Sequence, residues 1–149
     1  MSDTGTDVGE VTITRIFDAP RELVFECLTT PEHLSHFWGP VGTSTPVENI
    51  TIEPRVGGVF ATTMVNDEDG ETFSTSGTFT VFDPPSTLAW SEPGPAGDIV
   101  NTSTLKDLGD GRTEVVIHQT NLPAMFRTPE ARAGFESSLD RFAAYLATK

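Results

Sequence analysis

Cysteine is nearly absent from this 149-residue chain, in which Cys27 is the single thiol. One thiol excludes an internal disulfide. Cys27 lies within an apolar helical pattern, so we predict a buried, inert thiol rather than a nucleophile. Long apolar runs are absent too, since none approaches the roughly 20 residues that a membrane-spanning helix needs. We therefore predict no membrane insertion.

Basic residues are also scarce. Lys and Arg number 9 against 22 Asp and Glu, which gives a net charge of -13. This charge repels phosphate backbones and anionic lipid surfaces, so nucleic acid is not an expected partner. Solubility and a salt-tolerant surface both explain the acidity. Residues 1–10 lack the basic start and apolar stretch of a secretory signal, so we predict a short acidic tail and a cytoplasmic protein.

Motifs for covalent and phosphate chemistry, and for calcium, are missing as well. No serine stands in a Gly-x-Ser-x-Gly element, and Gly57-Gly58 is interpreted as a turn rather than a phosphate loop. The acidic residues 66–71 do not fit a calcium loop, because Val65 and Ser76 stand where acidic ligands are required. We predict an acidic hairpin turn there. No catalytic residue, metal or cofactor is predicted.

Two histidines at a spacing of three, His33 and His36, could share a metal ion on one side of a helix. A third ligand with suitable spacing is missing, and Glu32 precedes both histidines, so the HExxH order is absent. We predict solvent-exposed or capping histidines, with a hydrogen-bonding role at a pocket edge left open for His36. His118 is predicted to lie on the outer face of its strand.

The N-terminal half begins with a strand and two short helices. Residues 11–17 alternate between apolar and polar and are rich in β-branched side chains, which indicates a half-buried strand. Asp18 is predicted to cap a first helix that has Pro20 in its early turn. Thr30 is predicted to cap a second short helix, with Pro31 at its first position.

Period-two patterns dominate the middle of the chain, and turn residues separate them. Short connections between successive strands indicate antiparallel neighbours, because a parallel crossover needs a dozen or more residues. The predicted strands are 47–53, 58–65, 72–82, 86–92, 98–106 and 112–120.

The last segment predicts one long helix, with Thr128 as its cap and Pro129 at its first position. Its apolar residues recur at helical spacing and need a partner surface. Gly134 within it indicates a close approach between the helix and the sheet. We predict an α+β fold, in which a curved antiparallel sheet of about seven strands wraps around this helix, as a single domain over residues 11–149.

The order of several motifs resembles a known superfamily. The motifs are APRELVFECLTTPEHLSHFWGPVG, EPRVGG, GTFTVFDPPSTLAW, LGDGRTEVVIHQ and GFESSLDRF, and the resemblance covers about residues 11–147. They resemble the SRPBCC (START-like, helix-grip) superfamily and, more narrowly, the subfamily named after the activator of the heat-shock protein 90 ATPase. The resemblance implies the helix-grip fold and a deep, mostly apolar pocket that holds lipids, polyketides or other hydrophobic molecules.

A sheet that bends over one helix leaves a cavity between the sheet, the helix and the segment that contains Trp38. We predict binding of a small hydrophobic or amphipathic ligand (lipid-like, polyketide-like or aromatic) in this cavity, without covalent catalysis. The predicted ligand-binding residues are Phe37, Trp38, Phe60, Met64, Phe79, Trp90, Ile117, Gln119, Phe135 and Leu139.

Two alternatives stay open. The first is an enzyme similar to polyketide cyclases and dehydratases, in which polar groups such as His36 or Gln119 move protons. The second, which the subfamily name suggests, is a co-chaperone-like modulator of a bacterial heat-shock protein 90 homologue. A homodimer is also left open.

Overall fold

The first strand, β1 (Val8–Phe17), opens the part of the chain that the computed structural model describes, residues 8–149. It begins ahead of the predicted strand, within the predicted acidic tail. The reason is its partner: Val8 and Gly9 pair with the end of the last strand, at Pro123 and Leu122, beyond a bulge between Gly9 and Val11. Pairing with a long neighbour extends β1 past its alternating core.

Two short helices follow β1, as predicted: α1 (Arg21–Thr29) and α2 (Pro31–Leu34). The predicted cap of α1 is wrong, because Pro20 occupies the cap position and Asp18 lies too far away. Thr30 occupies the cap position of α2 and Pro31 its first position, as predicted, although the Thr30 side chain makes no capping hydrogen bond. Thr128 does cap the last helix, because its hydroxyl accepts from the backbone N of Ala131 at 3.1 Å.

The described part of the chain forms one antiparallel sheet of eight strands. Their order is β1-β8-β7-β6-β5-β4-β2, with β3 paired to β4. Pro46 begins a 3-10 turn over Val47–Asn49, which reduces the predicted strand 47–53 to three residues. Residues 67–71 form the predicted acidic turn between β4 and β5. The strands are β2 (Thr43–Ser44), β3 (Ile50–Ile52), β4 (Val59–Asn66), β5 (Thr72–Asp83), β6 (Thr87–Glu92), β7 (Ile99–Asp107) and β8 (Thr113–Pro123).

The closing helix, α3 (Pro129–Leu146), lays its apolar side against the rest of the core and buries Leu139, Phe142 and Leu146. Phe142 stacks on Phe37 with ring centroids 4.0 Å apart and contacts Phe17 at 4.8 Å. Its outer side is polar. Of the helices described between residues 8 and 149, none is long and apolar enough to cross a bilayer.

Cys27 lies inside α1 and is fully buried, which confirms the predicted burial of the thiol. Burial, with a smaller contribution from the neighbouring Glu26, raises the pKa of this thiol to about 11. The reactive form of cysteine is the thiolate, and it is scarce at neutral pH when the pKa is so high. Cys27 therefore contributes packing rather than chemistry.

Candidate functional site

A cavity of about 240 Å³ lies between the concave face of the sheet, α3 and the residues that follow α2. Most of its wall is apolar. Leu28, Leu88 and Phe142 line it in addition to predicted residues. The predicted residues that line it are Phe37, Trp38, Phe60, Met64, Trp90, Ile117, Gln119, Phe135 and Leu139.

Phe79 is the exception among the predicted residues, since it does not line the cavity. Its side chain is 1% exposed and packs between Phe60, at 5.6 Å between ring centroids, and Phe82, at 5.3 Å. Both neighbours cover its ring, so Phe79 fills the concave face of the sheet beyond the cavity. It belongs to the core rather than to the site.

Residues 37–45 form one edge of the cavity and are called the rim segment here. Trp38 is its largest side chain and packs against Phe60 and Trp90, with ring centroids 5.4 and 6.3 Å away. The indole Nε1 of Trp38 donates to the hydroxyl of Thr62 at 3.2 Å, and its carbonyl accepts from the hydroxyl of Thr45 at 3.0 Å. The indole is therefore held in one orientation by packing and by hydrogen bonds.

Helix α3 fixes the rim segment by hydrogen bonds to its backbone. The hydroxyl of Ser138 donates to the carbonyl of Phe37 at 3.0 Å. Nη1 of Arg141 donates to the carbonyls of Gly39 and Pro40 at 2.8 and 3.2 Å. These bonds satisfy carbonyls of an irregular segment that has no sheet partner there. Hydrogen bonds from α3 therefore hold this edge of the cavity in place.

Gly39 allows the rim segment to approach its neighbours. It has a φ of +98°, and a Cβ there would lie 2.6 Å from the hydroxyl of Thr43 and 2.7 Å from the sulfur of Met64. A Cβ on Gly134 would lie 3.5 Å from the ring of Pro40, which is an ordinary van der Waals contact. The predicted approach of Gly134 to the sheet is therefore wrong, because α3 meets the rim segment at this point.

Three polar side chains from adjacent strands form a row on the cavity wall, called the polar row here: Glu92 on β6, Asn101 on β7 and Gln119 on β8. Asn101 pairs directly with Gln119 in the sheet. The amide Nε2 of Gln119 donates to Oδ1 of Asn101 at 2.7 Å. The Asn101 side chain also interacts with the carboxyl of Glu92 and lowers its pKa. Gln119 and Asn101 are thus joined by a hydrogen bond beside the Glu92 carboxyl.

Glu92 is the ionisable member of the polar row. Burial raises the pKa of its carboxyl, and a smaller interaction with the Asn101 side chain offsets part of that rise. Within residues 8–149, no Lys, Arg or His lines the cavity beside it. A carboxyl in these surroundings holds its proton to higher pH than an exposed one, and it can both accept and donate a proton.

Glu92 and Asn101 are missing from the predicted site residues, although a signal for both is present. The alternation that turns Leu88 and Trp90 toward the cavity also turns Glu92 toward it, since all three share one face of β6. A charged residue directly before Pro93 is typical of an exposed strand end. The charge of Glu92 therefore suggests an exposed position, whereas the alternation along β6 indicates that it faces the cavity.

We expect Glu92→Gln to stabilise the protein in a pH-dependent way. The folded state binds the Glu92 proton more readily than the unfolded state does, so the wild-type carboxyl becomes more costly as pH rises. The gain of Glu92→Gln over wild type should be absent below the unfolded pKa and complete above the folded pKa. Urea unfolding across this pH range measures it, with the exposed Glu68→Gln as control. An equal gain at every pH would contradict the burial of Glu92.

The histidines of α2 and the rim lie outside the cavity. Nδ1 of His33 and the hydroxyl of Tyr145 share a hydrogen bond of 2.6 Å, and Nε2 of His33 lies 3.3 Å from Glu26. The exposed ring of His36 stacks on Tyr145 at 4.8 Å and does not line the cavity. The pocket-edge role left open for His36 is therefore wrong, because its ring turns toward α3.

His118 lies on the outer face of β8, as predicted, where its Nε2 is 2.7 Å from Glu10. Between residues 8 and 149, no group of three or more His, Cys, Asp or Glu side chains is placed to hold a metal ion. Among residues 8–149, Glu92 is the one ionisable side chain that lines the cavity.

We expect His36→Ala to lower the free energy of unfolding by about 1 kcal/mol or less, the usual value of one aromatic pair. Ligand stabilisation should not change, because His36 does not reach the cavity. Urea unfolding and a thermal-shift titration of the variant measure both effects. If ligands no longer stabilise this variant, His36 contributes to ligand binding after all.

A curved antiparallel sheet that encloses a cavity against one long C-terminal helix defines a helix-grip protein of the SRPBCC (START-like) superfamily. The family described as activator of Hsp90 ATPase homolog 1-like protein matches residues 18–147. The chain belongs to this family, which confirms the resemblance.

Solved structures of similar proteins confirm the fold. Protein CV1439 from Chromobacterium violaceum is 23% identical, with 91% of this chain and 95% of that chain covered and a TM-score of 0.81. A protein from Arthrobacter aurescens is 21% identical, with 100% and 91% covered and a TM-score of 0.80. CalU16 from Micromonospora echinospora is 20% identical, with 92% and 75% covered and a TM-score of 0.65. No curated protein matches the chain.

Proposed function

We propose that this protein binds a small amphipathic molecule in the cavity, without covalent catalysis. The observation that supports the proposal is a mostly apolar cavity wall on which three adjacent strands place Glu92, Asn101 and Gln119 side by side. The apolar body of the ligand packs against the aromatic walls, and its polar end faces Glu92 and Gln119.

The size and polarity of the cavity narrow the ligand class. Ligand pockets commonly measure about 300–1,000 Å³. A cavity of about 240 Å³ therefore suits a compact molecule with one ring or a short chain, rather than a sterol or a long-chain lipid. A wholly apolar ligand would remove water from the polar row without replacing its hydrogen bonds, which is costly. Amphipathic ligands avoid this cost.

Two experiments test the proposal. Native mass spectrometry of protein purified without detergent identifies a ligand that remains bound. A thermal-shift screen then compares compact aromatic and aliphatic compounds with different polar ends, and uses long-chain fatty acids as a size control. We expect compact amphipathic compounds to raise the Tm and fatty acids to have little effect. The proposal is wrong if no compact compound stabilises the protein.

A cavity-filling variant provides the matched control for this screen. Ser103 is 7% exposed and lines the cavity between Leu88 and Ile117, its partners on the neighbouring strands. Ser103→Leu adds volume on the cavity side of β7 and should abolish stabilisation by compounds that bind there. Stabilisation that persists in this variant comes from another part of the surface and does not support the proposal.

Glu92 favours a second candidate function, an enzyme similar to polyketide cyclases and dehydratases. Its carboxylate takes a proton from the carbon next to a bound carbonyl and leaves an enolate. The enolate either takes the proton back at that carbon or expels a hydroxyl from the next carbon, which leaves as water with the proton that Glu92 carries. Deuterium exchange into 4-phenyl-2-butanone, followed by NMR, tests the first step. Exchange that is faster with wild type than with Glu92→Gln supports it, and equal exchange removes it.

The co-chaperone prediction rests on the family description alone. Stimulation of the ATPase of a bacterial heat-shock protein 90 homologue by the purified protein would support it. The homodimer and the cytoplasmic location stay predictions as well.

A further inference from the structure

The polar row places one hydrogen-bonded amide pair beside one carboxyl. The amide Nε2 of Gln119 donates to Oδ1 of Asn101 at 2.7 Å, and Glu92 lines the cavity on the next strand. The Asn101 side chain favours the ionised form of Glu92, although burial has the larger and opposite effect on its pKa. The cavity wall therefore carries a carboxyl at one end of the row.

In the described part of the chain, Glu92 is the only ionisable side chain that lines the cavity, so no positive side chain of the wall lies beside it. Glu92 is half-buried. A carboxylate that is partly removed from water is stabilised by an opposite charge. A ligand with a cationic group supplies that charge, whereas a ligand with a carboxylate places two negative charges together.

An aromatic side chain, Trp90, lies beside Glu92 on the cavity wall. Trp90 lies two residues before Glu92 on the same face of β6, and its ring is 4.6 Å from Phe60 and 6.3 Å from Trp38. Indole faces attract cations, because the ring carries negative charge density on its faces. The carboxyl and the indoles thus favour the same class of ligand group.

We propose that the ligand is a hydrophobic amine, whose ammonium group binds between the Glu92 carboxylate and the indole of Trp90. This inference rests on the proposed function, because it specifies the polar end of the ligand that the cavity binds. The net charge of -13 also draws small cations toward the protein. The apolar part of the amine occupies the space between α3 and the sheet.

Isothermal titration calorimetry at neutral pH with three matched probes tests the inference. The probes are 2-phenylethylamine, 2-phenylethanol and 3-phenylpropanoate, which share a ring of similar reach and differ in charge. We expect the amine to bind about tenfold or more tightly than the alcohol, as one hydrogen bond to a charged group provides. The carboxylate should show no measurable binding.

Glu92→Gln should remove the preference for the amine over the alcohol. Glu68→Gln removes one exposed negative charge outside the cavity and should keep the preference. If the glutamine variant does not fold, Glu92→Asp provides a second test. This variant keeps the charge and should keep part of the preference for the amine. The amine affinity of wild type should fall as the pH is lowered through the titration of Glu92, because the proton competes with the ammonium group.

The outcomes separate the two proposals. Equal binding of the amine and the alcohol, unchanged in Glu92→Gln, overturns the amine inference and supports the binding of small amphipathic molecules. Tighter binding of the carboxylate also overturns it. If none of the three probes binds, the amine inference is wrong, and the wider thermal-shift screen decides whether the proposed function is wrong too.

Discussion

Phe142→Ala is expected to lower the free energy of unfolding by about 3–5 kcal/mol, the usual cost of removing a buried phenylalanine. Phe142 is 2% exposed and stands where α3 meets both the rim segment and the first strand. It stacks on Phe37 at 4.0 Å and contacts Phe17 at 4.8 Å. Domains of this size are stable by about 5–15 kcal/mol, so the variant should lose much of its stability. Urea unfolding measures the loss.

Phe142→Leu is the matched control, because leucine keeps an apolar side chain at the same position on α3. We expect it to recover at least half of the stability that the alanine variant loses. Phe142 also lines the cavity, so its removal enlarges the space for a ligand. A loss below about 1 kcal/mol in the alanine variant would mean that α3 does not anchor the core as described.

Trp38→Ala should have the largest effect on ligand binding and a large effect on stability. The variant loses the packing of the indole against Phe60 and Trp90, and it loses the donor to Thr62. We expect a loss of about 3 kcal/mol in unfolding free energy, at the lower end for a large aromatic residue, because Trp38 is only partly buried. Binding of compact amphipathic ligands should fall by at least tenfold, since one wall of the cavity is removed.

Trp38→Phe separates the two contributions. Phenylalanine keeps much of the aromatic wall and removes the hydrogen bond to Thr62, so its effects should lie between those of wild type and alanine. Val41→Ala provides a control within the rim segment, because Val41 is 71% exposed and should affect neither property. Normal ligand binding by Trp38→Ala would show that the rim segment does not belong to the site.

Local patterns allow the order and type of most elements to be predicted. Alternation over residues 11–17 and the helical spacing around Leu139 both reflect one buried face, so they survive in the structure. The cap at Thr128 and the outward direction of His118 also follow from local chemistry. Each of these features depends on residues that are neighbours along the chain or along one strand.

The features that could not be predicted depend on residues distant in sequence. Phe79 and Trp90 pair across two strands and both face the core, yet only the ring of Trp90 reaches the cavity. The positions of Phe60 and Phe82 determine which of the two aromatic rings is covered. The alternation of residues along a strand does not predict these positions. The meeting of Gly134 with Pro40 likewise arises from the path of the rim segment over α3.

The polar row combines both cases. The inward direction of Gln119 follows from the alternation of β8, and the same argument holds for Glu92 on β6. The register that places Gln119 directly beside Asn101 is set by the pairing of β7 with β8. The sequence therefore predicts Gln119 and carries a signal for Glu92, but it does not give the hydrogen bond between Gln119 and Asn101.

The pairing of β1 with β8 has a consequence for the synthesis of this protein. A ribosome makes about 5–20 residues per second, so β1 waits on the order of 10 s for its partner strand. During that time the apolar side chains of Ile13 and Phe17 have no strand beside them and no helix over them. Helix α3 emerges last and supplies Arg141 and Ser138 to the rim segment. The nascent chain therefore has no complete cavity until α3 has left the ribosome. A bound ligand can stabilise the folded state only after that point.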